Sequence, residues 1–230
     1  MCVVLRAKLA SVCETMNLPE VTVVDYGVGN LLSVRRGLER CGASVVVTSD
    51  PDKIYSARKV VLPGVGAFSN GMAELQRTGL DTIVQSLAAR GVPLLGICLG
   101  MQLLLDESEE FGKTAGLGLV PGRVVPVPAL STGGFPQKVP HIGWSPLALP
   151  VKRQSWESSL LQGIKAGEAV YFVHSFMADP FEPKDRLAEC FYGGVPVLAA
   201  LERGNVMGCQ FHPEKSGEVG LKILSRFLTI

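Results

Sequence analysis

The segment Val92-Pro93-Leu94-Leu95-Gly96-Ile97-Cys98-Leu99-Gly100-Met101-Gln102 constrains this fold more than any other stretch of the chain. It reads as a buried strand, a one-residue corner carrying a cysteine, and the start of a helix. Gly-x-Cys-x-Gly is the cysteine form of the nucleophile elbow, a sharp strand-to-helix turn that lifts a reactive atom clear of a sheet. Gly96 and Gly100 let the chain pack closely around the corner, where a Cβ would collide. A thiol at such a corner sits beside a helix N-terminus, whose partial positive charge favours thiolate over thiol. So short a pattern also arises by chance, and its surroundings decide its meaning.

Those surroundings alternate strands with helices. Val21-Thr22-Val23-Val24-Asp25 is a β-branched run, read as the first strand, and Tyr26-Gly27-Val28-Gly29 is a tight loop after it. Asn30 is a good N-cap, and Leu31, Val34 and Leu38 give a helical core face that ends before Gly42. Ser44 to Thr48 reads as a second strand and Lys59 to Leu62 as a third. Phe68 to Arg90 is mostly helical, with a break at Thr78-Gly79. The second half differs: prolines and glycines punctuate 116–150, β-rich runs follow at Ala169–Phe176, Val195–Leu201 and Val206–Phe211, and a helix closes the chain from Val219 to Leu228. The expected fold is α/β, a mostly parallel open sheet flanked by helices, with antiparallel strands added in the C-terminal half.

Composition removes several classes of partner. A net charge of +1 carries no basic footprint for nucleic acid. The longest near-apolar run, Val92 to Leu105, is interrupted by Pro93 and Gln102 and falls short of the roughly 20 residues of a membrane span. The six cysteines form no C-x-x-C pair and no Cys/His cluster, so no metal, no disulfide framework and a reducing, cytoplasmic compartment are expected. Arg6 and Lys8 interrupt the only apolar stretch near the start, which denies it a signal core. Residues 1–20 are expected to be an N-terminal extension, disordered or not native, and 21–230 a single domain.

A nucleophilic cysteine needs a base, an orienter for that base and an oxyanion site. His212 follows an apolar strand, and Glu214, two residues on, is close enough to accept a hydrogen bond from the imidazole. Pro213 stiffens the link between them. Taken alone, the pair also reads as a loop histidine beside a solvated carboxylate. Leu62-Pro63-Gly64-Val65-Gly66 follows the third strand, where its backbone amides can join that of Leu99 at a carbonyl oxygen; an ordinary strand-exit turn is the plainer reading. All these pieces fall after strands, at the sheet edge where open α/β folds place their sites.

Pro63–Gly66, Gly96–Gln102 and the run Gln210-Phe211-His212-Pro213-Glu214-Lys215-Ser216-Gly217 resemble the class I, triad-type glutamine amidotransferases. Asp25–Leu31, Pro140–Trp144 and Tyr171–Phe176 resemble in particular the glutaminase subunits of imidazole glycerol phosphate synthases. The likeness runs from about Val21 to the C-terminus. It implies that Cys98 is the nucleophile, His212 the base and then acid, and Glu214 the orienter. It implies that Val65 and Leu99 supply oxyanion amides, and that Gly64, Gln102, His174, Ser175 and Phe176 hold glutamine. Asn30, Trp144 and Lys215 would face a partner, and no cofactor is implied. The chain departs from the pattern at Ser145-Pro146, where asparagine is expected after Trp144, and at Phe176, where tyrosine is frequent. His141 is expected near the docking face or within its loop and not in catalysis, Trp144 as a core aromatic or an interface anchor, and His174 as a hydrogen-bonded structural residue.

The resemblance further implies that glutamine is hydrolysed to glutamate and ammonia, and that ammonia passes to a (β/α)8-barrel synthase subunit in a heterodimer. The products there are imidazole glycerol phosphate and aminoimidazole carboxamide ribonucleotide, in histidine biosynthesis. The amidotransferase module uses nearly the whole chain, so the consumer of ammonia is expected on another chain. Pro63–Gly66, with its two glycines, is the expected switch for the oxyanion amides. A paralogue feeding another synthase, a free-standing γ-glutamyl hydrolase and a non-catalytic regulatory subunit are the alternatives.

Overall fold

The computed structural model describes residues 18–230, so the expected N-terminal extension lies almost wholly outside the described residues. The first half alternates as expected: β1 (Glu20–Val24), α1 (Leu31–Arg40), β2 (Ser44–Thr48), a short α2 (Pro51–Tyr55), β3 (Val60–Gly64), α3 (Phe68–Thr78), α4 (Leu80–Ala89), β4 (Leu94–Cys98) and α5 (Leu99–Leu103). Asn30 caps α1 through a side-chain bond from the Ser33 N–H (3.2 Å). Gly79, at φ +68°, makes the break between α3 and α4.

The remaining strands are β5 (Leu105–Ser108), β6 (Thr114–Ala115), β7 (Val120–Pro126), β8 (His141–Pro146), β9 (Ala169–His174), β10 (Phe176–Pro180), β11 (Arg186–Tyr192), β12 (Val195–Arg203) and β13 (Val206–Cys209), and α6 (Gly217–Thr229) ends the chain. The main sheet has the order β11-β12-β13-β4-β3-β1-β2. From β13 to β2 neighbours run parallel, while β12 and β11 are antiparallel additions at one edge. β3 and β4 are buried along their whole length, as strands covered on both faces must be. One face packs under α1 and α6 through Val34, Leu38, Ile223, Leu224 and Phe227. The other packs under α3 and α4 through Met72, Leu75, Val84 and Leu87.

The proline-punctuated stretch 116–150 holds two strands, β7 and β8, and one expectation needs correction. The run Ala169–Phe176 is not one strand, because it breaks at Ser175: β10 joins a four-stranded sheet with β7, β5 and β6, and β9 pairs only with β8. Proline masked β7, since Pro126 sits at its last position, where losing an N–H costs the ladder little. From these two small sheets, β9 and β10 come beside the end of β4 through Val173, His174 and Phe176, which share one cavity with Cys98. Among the described residues no helix is long and apolar enough to cross a membrane, and no group of three or more His, Cys, Asp or Glu is arranged to hold a metal.

Candidate active site

The corner at Cys98 is a strained one. Its backbone has φ +54° and ψ −111°, a conformation that side chains rarely adopt and that costs about 1–3 kcal/mol unless its surroundings enforce it. Glycine makes the enforcement possible. A Cβ at Gly96 would lie 2.7 Å from the Gly100 carbonyl, and one at Gly100 would lie 1.8 Å from the Leu62 carbonyl oxygen. The helix beyond, α5, is only five residues long, so its dipole amounts to the free N–H groups of one turn. Leu99 opens that turn, and its N–H has no intrahelical acceptor.

His212 follows β13, the strand beside β4, so the two reach the same edge of the sheet. Its N–H bonds the Tyr171 carbonyl of β9 (3.0 Å), and its carbonyl accepts from Ser216 Oγ (2.7 Å), which itself accepts from the Tyr171 N–H (3.0 Å). A short 3₁₀ turn, Pro213–Lys215, brings Glu214 back beneath the ring. His212 Nδ1–H donates to Glu214 Oε1 at 2.8 Å, with both side chains nearly inaccessible to water. Nε2 is buried with no hydrogen-bond partner among the described residues, and it borders the same cavity as Cys98. Burial alone would lower the proton affinity of this ring. The neighbouring Cys98 sulfur and the Glu214 carboxylate bonded to Nδ1 outweigh burial and push its pKa up to about 9. Burial pushes the Cys190 thiol up to about 12 and raises Cys209 as well, which makes both inert.

A raised histidine pKa has a signed consequence. The stabilisation from His212 is complete below its unfolded value near 6.5 and is lost as pH rises through about 9. Between pH 6 and pH 9.5, Tm should therefore fall further in the wild type than in Glu214→Gln, which lacks the carboxylate. Equal falls in thermal scans would show that Glu214 does not hold the proton on His212.

The cavity in front of Cys98, about 360 Å³, is bordered by Val65, Gly66, Leu99, Gln102, Glu110, Pro140, Val173, His174, Ser175, Phe176 and His212. Gly64 does not border it. It is buried at the end of β3, where a Cβ would stand 2.4 Å from Tyr26 Oη. That hydroxyl donates to the Pro63 carbonyl (2.7 Å) and pins the strand exit, leaving Val65 and Gly66, at φ +103°, as its freer part. Asn30, Trp144 and Lys215 are solvent-exposed and lie outside the cavity. β8 alternates, with Ile142 and Trp144 each 57% exposed and His141 and Ser145 turned inward and buried. His141, expected near a docking face, is thus an interior residue bonded to His174 (3.0 Å).

Two residues stand at the site to which the sequence assigns no role. Glu110 borders the cavity and spends one carboxylate oxygen on the Phe68 N–H at the start of α3 (2.6 Å); no spacing signal marks it. Gln210 is fully buried against Cys98. A glutamine ending an apolar strand was its available sign, since buried amides need partners.

Against known families, residues 22–230 match the model described as glutamine amidotransferase class-I. The chain belongs to the class I glutamine amidotransferases. It is 49% identical over 213 residues to the "Imidazole glycerol phosphate synthase subunit HisH 1" of Legionella pneumophila (strain Lens), covering 93% of this chain and all of that one. To the subunit HisH of Geobacillus thermodenitrificans it is 50% identical over 210 residues, 91% of this chain and 95% of that one. Among solved structures, "PurLQS from Thermotoga maritima" superposes with a TM-score of 0.66 at 22% identity, over 92% of this chain and 98% of that one, which establishes the shared fold. The amidotransferase fold is therefore mixed α/β as the alternation of elements implied, and the strained cysteine stands at its sheet edge.

Proposed function

We propose that this amidotransferase is the glutaminase subunit of an imidazole glycerol phosphate synthase, releasing ammonia from glutamine for a separate (β/α)8-barrel synthase subunit. Near-50% identity to proteins named as that subunit, over more than nine-tenths of the chain, carries the reading. The chemistry draws on the site geometry. Cys98 Sγ attacks the side-chain carboxamide carbon of glutamine, and the oxyanion is met by the N–H groups of Leu99 and Val65. His212 Nε2 gives its proton to the departing ammonia, leaving a glutamyl thioester. It then takes a proton from the water that cleaves the thioester, while Glu214 keeps Nδ1–H fixed. The cavity offers Gln102, Glu110 and the 173–176 backbone to the α-amino and α-carboxylate ends; the Glu110 carboxylate suits the ammonium. Phe176 supplies a wall without a hydroxyl.

Losing one oxyanion donor costs about 10²–10³ in rate, so reorienting the Val65–Gly66 backbone would switch the site. The exposed Ile142 and Trp144, together with Lys215 and Asn30, are the proposed docking residues. The free thiols Cys41, Cys98, Cys190 and Cys209 agree with a cytoplasmic setting.

The test is a glutaminase assay with and without a barrel subunit and its nucleotide substrate. Stimulation only by the loaded barrel supports the reading. Full activity of the chain alone favours a free-standing hydrolase, and stimulation by another synthase favours a paralogue. Trp144→Ala should weaken the pairing about tenfold or more without lowering Tm, as binding titrations would show.

A further inference from the structure

Gln210 has to satisfy both ends of a fully buried carboxamide. Its Oε1 accepts from Gln102 Nε2 at 3.0 Å, which settles the orientation of the amide: Nε2 is the end that faces Cys98 Sγ, at 3.8 Å. Gln102 Nε2 uses its second hydrogen on the Phe176 carbonyl (2.9 Å). That carbonyl is available to side chains because the register partner of Phe176 is Pro126, which has no N–H to give.

The same carbonyl fixes a second branch. It accepts from His174 Nδ1 (2.8 Å), so this nitrogen carries the proton. Burial holds His174 down at about 4, and it lowers His141 too, so both rings are neutral at pH 7. His174 Nε2 then accepts from His141 Nδ1–H (3.0 Å), and His141 Nε2 accepts from the Ser145 hydroxyl (2.9 Å). Every bond has one permitted direction. A chain of hydrogen bonds, passing through the Phe176 main-chain carbonyl, therefore runs from β8, through β9 and the start of β10, to Cys98.

We propose that Gln210 is a catalytic hydrogen-bond donor to the Cys98 thiolate, and that Ser145, His141 and His174 are positioning residues that hold the Gln102–Gln210 pair in its donating orientation. This rests on Cys98 being the nucleophile. A neutral amide is well suited to such a place, because it strengthens its bond when the sulfur becomes charged, yet it does not compete with His212 for the proton. With no freedom to rotate, it costs nothing to reorganise as charge appears. The other titratable groups beside the sulfur or bordering its cavity are His212, backed by Glu214, after β13, Tyr26 after β1, His174 on β9 and Glu110 after β5.

The experiment is alkylation of Cys98 by iodoacetamide across pH, without glutamine, read by mass spectrometry on the full chain. Gln210→Glu keeps the acceptor for Gln102 and replaces the donor facing sulfur by an oxygen. Its alkylation at pH 7 should fall about tenfold or more, with the profile moved about one unit higher. Gln210→Met, which removes the donor without adding charge, should fall several-fold in the same direction. Ser145→Ala should lower kcat for glutamine with KM unchanged, and Ser145→Thr should restore it, which a merely structural role would not predict. Profiles of Gln210→Glu and Gln210→Met that superpose on the wild type overturn the proposal; if Gln210→Glu does not fold, Gln210→Met decides. Glutamine hydrolysis surviving in Cys98→Ala would instead overturn the underlying reading of the nucleophile.

Discussion

Cys98→Ala should abolish glutamine hydrolysis, by at least about 10⁴-fold in kcat, because removing a nucleophile removes the entire covalent route and not one increment of it. The same variant, paired with the proposed barrel subunit and supplied with ammonium salt, should make product within about twofold of the wild-type rate, since nothing in that half-reaction touches sulfur. The two assays share one protein preparation, so a misfolded sample cannot imitate the result. Loss of both activities would contradict the division of labour between chains. Retention of both would contradict Cys98 as nucleophile. Alanine is also a fair replacement at this backbone position, because it keeps the Cβ and leaves the φ +54° strain of the corner in place. His212→Ala should follow Cys98→Ala closely and not add to it, for the two act as a unit.

Gly100→Ala should produce the largest loss of stability from a single methyl group. Its Cβ would lie 1.8 Å from the Leu62 carbonyl oxygen and 2.8 Å from the carbonyl carbon, and both are backbone atoms in the middle of the sheet. No rotamer relieves such a clash, so α5 must lift away from β3 or the strand must shift. Overpacking of this kind costs ~3 kcal/mol, which for a chain this size lowers Tm by about 6–12 °C. The displaced helix would also carry the Leu99 N–H away from its place beside Cys98, so kcat should fall with stability. A calorimetric Tm within a degree of the wild type would show that the corner yields more easily than its geometry implies. Gly42→Ala makes a useful contrast: no atom lies within 4 Å of that Cβ, so its cost is confined to the strain of φ +87°.

How much of this was written in the sequence depended on whether a residue's role is local. The elbow, the N-cap at Asn30, the break at Gly79 and the strands β1 to β4 depend on neighbours within a few positions, and periodicity or turn chemistry exposed them. His212 and Glu214 are two apart, so their bond was legible as well, although its burial was not. The membership in the amidotransferase family was likewise legible, because its motifs are local runs. What stayed hidden depends on pairings far along the chain. β7 and β10 find each other across about fifty residues, and proline at the end of one disguised both. Ser175 splits an apolar run into two strands of different sheets for a tertiary reason, the pull of β7 on one side and of β8 on the other. Glu110 reaches the cavity only because β5 and the turn after it fold back onto α3. His141 and Trp144 lie three residues apart and face opposite ways, an assignment that required the register of β8 against β9.

The sheet order sets a timetable. β13 is the last strand of the chain, yet it lies between β12 and β4, in the interior of the main sheet. During synthesis from the N-terminus, β3, β4 and the Cys98 corner emerge long before the segment that supplies His212 and Glu214. Until that segment inserts, β4 has an open edge and the cysteine has no base beside it. On the proposed mechanism the nascent chain carries the Cys98 thiol before it carries the base and its orienter, and pairing of β13 with β4 is what brings them together.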